Sequence, residues 1–175
     1  MKICFIALGS NLDVPLLQLQ RARQAMAGLP DTRLLAESAI YRTPAMILPG
    51  SAAQPDYYNA VIQLQTTLSP HALLDALHAI EVAQGRQRTV RWAARTLDLD
   101  ILLYDDLQCR DSRLTLPHPG MAQRPFVLYP LQEIAPNIEI PGLGMLRELI
   151  TRLPHDPYAT RLERAGRFDD PGMKN

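Results

Sequence analysis

What this chain lacks narrows its reading before any motif is considered. Two cysteines occur in 175 residues; Cys4 lies in an apolar, strand-like run and Cys109 in a polar turn region, with no CxxC pair and no Cys/His grouping at zinc spacing. A disulfide scaffold and a structural zinc are therefore not expected, and a reducing, cytoplasmic setting is the simplest one. No apolar run approaches the length of a membrane span, and the opening "MKICFIALGSNLD" breaks at Gly9, too early for a secretory signal, so a soluble, unprocessed protein is expected. An excess of one charge is missing too. Lys+Arg number 18 and Asp+Glu 18, which removes the basic field that non-specific nucleic-acid binding requires. No GxxxxGK[ST] occurs, so a nucleotide could not rest on a P-loop. Internal repeats and low-complexity segments are absent.

What is present suits one domain. Hydrophobic residues make up 47% of the chain, enough for a single core and little for two. "KICFIALGS" reads as a strand that ends at a Gly-Ser-Asn turn. "DVPLLQLQRARQAMAG" follows as an amphipathic helix, with Asp13 as candidate N-cap, Pro15 in its first turn and Gly28 as its stop. "TRLLAESAIYRT" and "YYNAVIQLQTT" alternate like paired strands, and the prolines and Gly50 of the segment between them forbid regular structure there. Ser69 caps a second helix, "PHALLDALHAIEVAQ", with Pro70 at its first position and Gly85 just beyond its end. "RQRTVRWAAR" has no apolar period and reads as a mobile loop; "TLDLDILLY" is the next strand. This order predicts an α+β fold of the ferredoxin-like type: a βαββαβ antiparallel sheet with helices on one face, plus C-terminal additions that include short helices at "RPFVLYPLQEI" and "LGMLRELITRL". Residues 1–154 are expected to form the single domain, and the polar 155–175 segment to be poorly ordered.

One feature of the last strand calls for a chemical explanation. Side chains alternate faces along a strand, so Asp98 and Asp100 point the same way, about 7 Å apart, while Leu97, Leu99 and Ile101 face the other side. Such a pair also suits a wet edge strand. Its surroundings favour chemistry, because Arg86, Arg88, Arg91 and Arg95 precede it and His118 and Arg124 follow in "PHPGMAQR". Two close carboxylates call for a cation, and magnesium accepts carboxylate oxygens while keeping positions for phosphates. Arginines beside that site are phosphate donors. Together they point to triphosphate chemistry.

The segments "GSN" (9–11), "YRTP" (41–44), "QPDYYNA" (54–60), "GRQR" (85–88), "RWAARTLDLDIL" (91–102) and "LTLPHPGMAQRPFVLYPL" (114–131) resemble the 6-hydroxymethyl-7,8-dihydropterin pyrophosphokinases of folate biosynthesis, from about Lys2 to about Ile150. That resemblance implies transfer of the β,γ-diphosphate of ATP to the pterin hydroxymethyl oxygen with release of AMP. It implies Asp98 and Asp100 as ligands of two magnesium ions, and Arg86 and Arg95 as catalytic arginines. Nucleotide contacts are implied at Glu81, Arg88, Arg95, Ile101, Arg113, Thr115, His118 and Arg124. Pterin contacts are implied at Thr43, Pro44, Ala45, Met46, Tyr57, Asn59, Trp92 and Phe126, with ATP and the pterin as the partners, no nucleic acid, no membrane, and a monomer. His78 stands where many relatives carry Gln, the 45–54 loop is longer than in short members, "RQRTVRW" is a residue shorter, and the segment after Pro154 has no counterpart.

Two other readings stay open. Another magnesium-dependent phosphoryl or nucleotidyl transferase could use the same acidic pair, although Asn59, Trp92 and Phe126 suit a flat heteroaromatic acceptor better. An RNA-binding module shares the βαββαβ order, but neutral charge, 6% aromatic residues and the lack of paired strand aromatics argue against it.

Overall fold

Alternation in the first strand sets up a three-layer molecule. The computed structural model describes residues 1–45, 54–85, 96–154 and 162–170. In β1 (Lys2–Ser10), Cys4, Ile6 and Leu8 point to one side of the sheet and Ile3, Phe5 and Ala7 to the other. Both sides are therefore apolar and both need a cover. Helices α1 (Pro15–Ala27) and, further on, α2 (Pro70–Ala83) cover the first side, with Leu19, Ala22, Met26, Leu73 and Leu77 fully buried. Truncating one of these leucines to alanine would cost about 2–5 kcal/mol, because the lost transfer energy adds to that of the cavity left behind.

The strands between the helices run β2 (Thr32–Glu37), β3 (Ile40–Thr43) and β4 (Tyr57–Thr66), and β5 (Asp98–Tyr104) follows α2. The single strand expected over "TRLLAESAIYRT" is divided at Ser38–Ala39. Its two parts line the same side of β4, and across the break Ser38 keeps the pairing, its N–H donating to Val61 O (2.9 Å) and its Oγ accepting from Val61 N–H (3.0 Å). With a last strand, β10 (Glu163–Gly166), the sheet order is β10-β3-β4-β1-β5, with β2 also on β4 and all neighbours antiparallel, as the ferredoxin-like reading requires. The β1–β5 register passes from Phe5↔Leu103 to Ile6↔Ile101, which leaves Leu102 as an extra residue, a β-bulge.

After a small hairpin of β6 (Cys109–Arg110) and β7 (Thr115–Leu116) come α3 (Pro125–Ile134), a hairpin of β8 (Glu139–Ile140) and β9 (Gly144–Met145), and α4 (Leu146–Thr151). Val127, Leu128, Leu131, Leu146 and Leu149 pack on Phe5, Val61, Leu102 and Leu103. The C-terminal additions thus cover the second side of the sheet.

Two further expectations are corrected. Asp13 does not cap α1. The cap is Val14, in left-handed conformation (φ 59°) with no side-chain bond, and its carbonyl accepts from Leu17 and Gln18 N–H (2.9 and 3.2 Å). Nor is the C-terminal segment poorly ordered over 162–170: β10 (Glu163–Gly166) pairs with β3, and Phe168 is 4% exposed within the α1/α2 core. A short strand that adds to an open edge draws on backbone pairing, which polar residues supply as well as apolar ones.

Candidate active site

β5 closes one margin of the sheet, so its outer edge faces a cleft rather than another strand. Ser10 and Asn11, 0% and 2% exposed, hold the corner where β1 ends. Ser10 Oγ donates to Thr96 O, and Asn11 Nδ2 donates to Pro55 O (3.2 Å), so one polar corner ties down the chain two residues before both Asp98 and Tyr57. The resemblance included "GSN" without indicating this role. Its signal is two polar residues buried directly after an apolar strand.

Register then sets the lateral geometry. Tyr41, Asn59, Gly9 and Asp98 form one row across four strands, and Val61, Ala7 and Asp100 form part of the next. Cross-strand partners share a face, so the acidic pair and Asn59 lie on the α3 side of the sheet. With one strand between β4 and β5, Asn59 and Asp98 have backbones about 10 Å apart. Gly9 and Ala7 make the floor between them low. A Cβ on Gly9 would come 3.2 Å from Asn59 Oδ1.

A cleft of about 340 Å³ follows the β5 edge and is lined by Glu81, Asp98, Asp100, Ile101, Arg113, Thr115 and His118, together with His78. The structure therefore gathers these nucleotide-site expectations in one place. Glu81 is 1% exposed, and its Oε1 accepts the Leu99 N–H at 2.7 Å, so it satisfies an edge amide that β1 cannot reach. The rim carrying Arg113 is fastened to α2: Asp111 accepts Arg113 and Leu114 N–H (2.7 and 2.8 Å) and meets His71 Nε2 (2.9 Å), while the Arg113 guanidinium pairs with Asp75.

His118 hangs on the bulge, its N–H donating to Leu102 O at 3.0 Å. Its Nδ1 accepts from Gly120 N–H (3.1 Å), which leaves the proton of the neutral ring on Nε2, 3.7 Å from Asp100 Oδ2. Burial holds its pKa below the ordinary histidine value. Asp100 acts the other way, Arg124 adds to the lowering, and Asp98 again opposes it. Arg124 Nη1 stands 3.9 Å from the same Asp100 oxygen.

The pterin-site expectations lie on β3, β4 and α3. Thr43 and Asn59, each 7% exposed, are joined by a bond from Asn59 Nδ2 to Thr43 Oγ1 (3.0 Å). Pro44 and Ala45 continue from β3, Tyr57 opens β4, and Phe126 packs at the start of α3. Met46, Arg86, Arg88, Trp92 and Arg95, like the loop motion expected around them, lie outside the described residues.

Among the described residues, no group of three or more His, Cys, Asp or Glu could hold a metal unaided, and no helix is long and apolar enough to cross a membrane. Fold and site together define a ferredoxin-like α+β domain whose acidic pair and basic rim suit metal-assisted phosphoryl transfer. The family model described as 7,8-dihydro-6-hydroxymethylpterin-pyrophosphokinase (HPPK) matches residues 5–136, and the chain belongs to that family.

Two curated relatives, both named 2-amino-4-hydroxy-6-hydroxymethyldihydropteridine pyrophosphokinase, are 47% identical to it. That of Pseudomonas aeruginosa aligns over 152 residues, 87% of this chain and 92% of the relative; that of Haemophilus influenzae aligns over 146, covering 83% and 89%. A crystal structure of wild-type Plasmodium falciparum HPPK-DHPS with pteroate superposes with a TM-score of 0.68 at 12% identity over 86% of this chain, a likeness of fold alone. The chain spans 44% of that larger protein.

Proposed function

We propose that the β5 cleft and the adjoining Asn59 region carry out the family's reaction: the chain transfers the β,γ-diphosphate of ATP to the hydroxymethyl oxygen of 6-hydroxymethyl-7,8-dihydropterin and releases AMP, a step of folate biosynthesis. One observation carries this reading. Asp98 shares its cross-strand row with Asn59, so a flat acceptor held at Asn59 would reach a reacting phosphorus held at the acidic pair without crossing any bulky side chain.

Asp98 and Asp100 fit magnesium, since they offer hard oxygens from one strand face and no closed cage of protein ligands, which leaves room for phosphate and water. Two ions are proposed there. When bound, magnesium supplies neutralisation of phosphate charge and a lowered pKa for the attacking hydroxyl. The chain's own groups do the rest. The Nε2–H of His118 and the guanidinium of Arg124 donate to phosphate oxygens beside Asp100, and Arg113 and Thr115 form the outer rim. Glu81 fixes the edge strand so that Ile101 offers apolar surface and main-chain groups to adenine. Thr43 orients the Asn59 amide against the pterin edge, Pro44 and Ala45 contribute main chain, and Tyr57 and Phe126 offer stacking faces, worth roughly 1–3 kcal/mol per ring by analogy with bases on aromatics. Arg86 and Arg95 stabilise the transferring diphosphate and anchor the nucleotide, with Arg88 on the nucleotide and Met46 and Trp92 on the pterin.

A cytoplasmic monomer is proposed. Incubation with ATP, magnesium and the pterin should give AMP and the pterin diphosphate in equal amounts. ADP in place of AMP would replace this reading with that of an ordinary kinase.

A further inference from the structure

The segment 162–170 touches more of the molecule than closing a sheet margin requires. On its backbone side β10 pairs with β3, Glu163↔Arg42, Arg164↔Tyr41 and Gly166↔Ile40. β3 has only four residues, and its other side holds Tyr41↔Asn59 and Thr43↔Tyr57. Without β10 this short strand would be a free edge one residue before Thr43.

The side chains reach both helix layers. Arg164 and Arg167 donate through Nη2 to Glu133 Oε1 on α3 at 2.8 and 2.7 Å. The other oxygen of Glu133 accepts Ala39 N–H at 2.9 Å and the Tyr41 hydroxyl at 3.0 Å. One carboxylate thus joins β10, β3 and α3. Beyond it Phe168 turns into the opposite core, where Gln20 of α1 donates to its carbonyl (3.4 Å). A segment held only to cover an edge would not need an anchor in each layer, nor a charge network centred on the β3 residues that lead to Thr43.

We propose that residues 162–170 are a positioning element for pterin binding. Through Arg164, Arg167 and Glu133 they fix β3, so that Thr43 Oγ1 stays in place to orient the Asn59 amide. This rests on the reading of Thr43 and Asn59 as pterin contacts, and the test separates the two. Four forms of the full chain are compared by steady-state kinetics in each substrate and by melting temperature: the unaltered protein, Arg164→Ala with Arg167→Ala, Arg164→Lys with Arg167→Lys, and Asn59→Ala. The double alanine variant should raise the pterin KM about five-fold, within the range seen when members of one network are cut. Its ATP KM and kcat should stay within about two-fold, since neither arginine lines the β5 cleft, and its melting temperature should change little, since exposed ion pairs contribute little to overall stability. Double lysine should recover part of the pterin KM. An unchanged pterin KM in the double alanine variant, or equal rises in both KM values, overturns the proposal if Asn59→Ala itself raises the pterin KM. An Asn59→Ala protein with normal pterin KM overturns the site assignment, and the proposal with it.

Discussion

Replacing Thr43 by valine isolates one hydrogen bond. Valine keeps the branched Cβ that suits a strand, so the backbone of β3 retains its preference, and only Oγ1 is exchanged for a methyl. That oxygen is the acceptor for Asn59 Nδ2 at 3.0 Å, and both residues are 7% exposed. Water therefore has little access to replace it. A buried amide donor left without an acceptor costs about 2 kcal/mol, which for a chain of this size lowers the melting temperature by about 4 to 8 °C. The functional effect has a separate origin. Without Oγ1 the Asn59 amide can turn over, and only one of its two orientations offers the correct donor and acceptor to a heteroaromatic edge. A loss of about 1.4 kcal/mol in pterin binding corresponds to a ten-fold weaker complex. Calorimetric melting and titration with pterin in the presence of a non-hydrolysable ATP analogue read both effects. Thr43→Ser, which restores the oxygen, should recover most of each. If valine and serine behave alike, or if valine alters neither melting nor pterin affinity, the Oγ1–Asn59 bond does not orient the substrate.

Asp98→Asn and Asp100→Asn should each lower turnover by at least about 100-fold while the protein still folds, since a metal-held transition state loses its charge compensation; near-normal turnover with an unchanged magnesium requirement would rule the role out. Glu81→Gln should weaken ATP binding and cost about 1 kcal/mol of stability while the pterin KM holds, because a neutral oxygen accepts the Leu99 N–H less strongly than a carboxylate does. Burial pushes the Cys4 thiol from 9.0 up to about 12, with Asp105 adding to the shift. The folded state thus holds that proton more tightly than the unfolded one, so its contribution is complete below about pH 9 and is lost as pH rises toward 12. At pH 8 a thiol reagent should modify at most one cysteine of the native protein, Cys109; two equivalents reacting without denaturant would contradict this.

How much of this was legible in the sequence depended on whether the signal was local. Ser69 and Gly28 mark helix ends because capping acts within a few residues, and both stand where expected, Ser69 Oγ accepting from Ala72 N–H at 3.2 Å. The acidic pair was legible for the same reason, since a period of two places Asp98 and Asp100 on one face whatever surrounds them. Glu133 was not. Its partners lie 31 to 94 positions away, and nothing in "LQEI" distinguishes it from a solvated helix residue. Strand β10 was missed because "ERAG" has no β-branched or aromatic residue and no apolar alternation, and its pairing relies on an edge that only the folded sheet presents. The division at Ser38 was hidden because its hydroxyl imitates the backbone group that the broken ladder lacks.

The bulge at Leu102 shows how the loop that carries His118 can be attached to a sheet without disturbing its ladder. Remove Leu102, and Leu103 would still face Phe5 and Ile101 would still face Ile6, now as consecutive partners. The ladder has no need of that residue, whereas the backbone of His118 does, because its N–H ends on Leu102 O. Strand register and loop anchorage are thus independent variables in this molecule. A deletion at Leu102 is the lesion that would part them, leaving Asp98 and Asp100 on their proper face while releasing the histidine beside them.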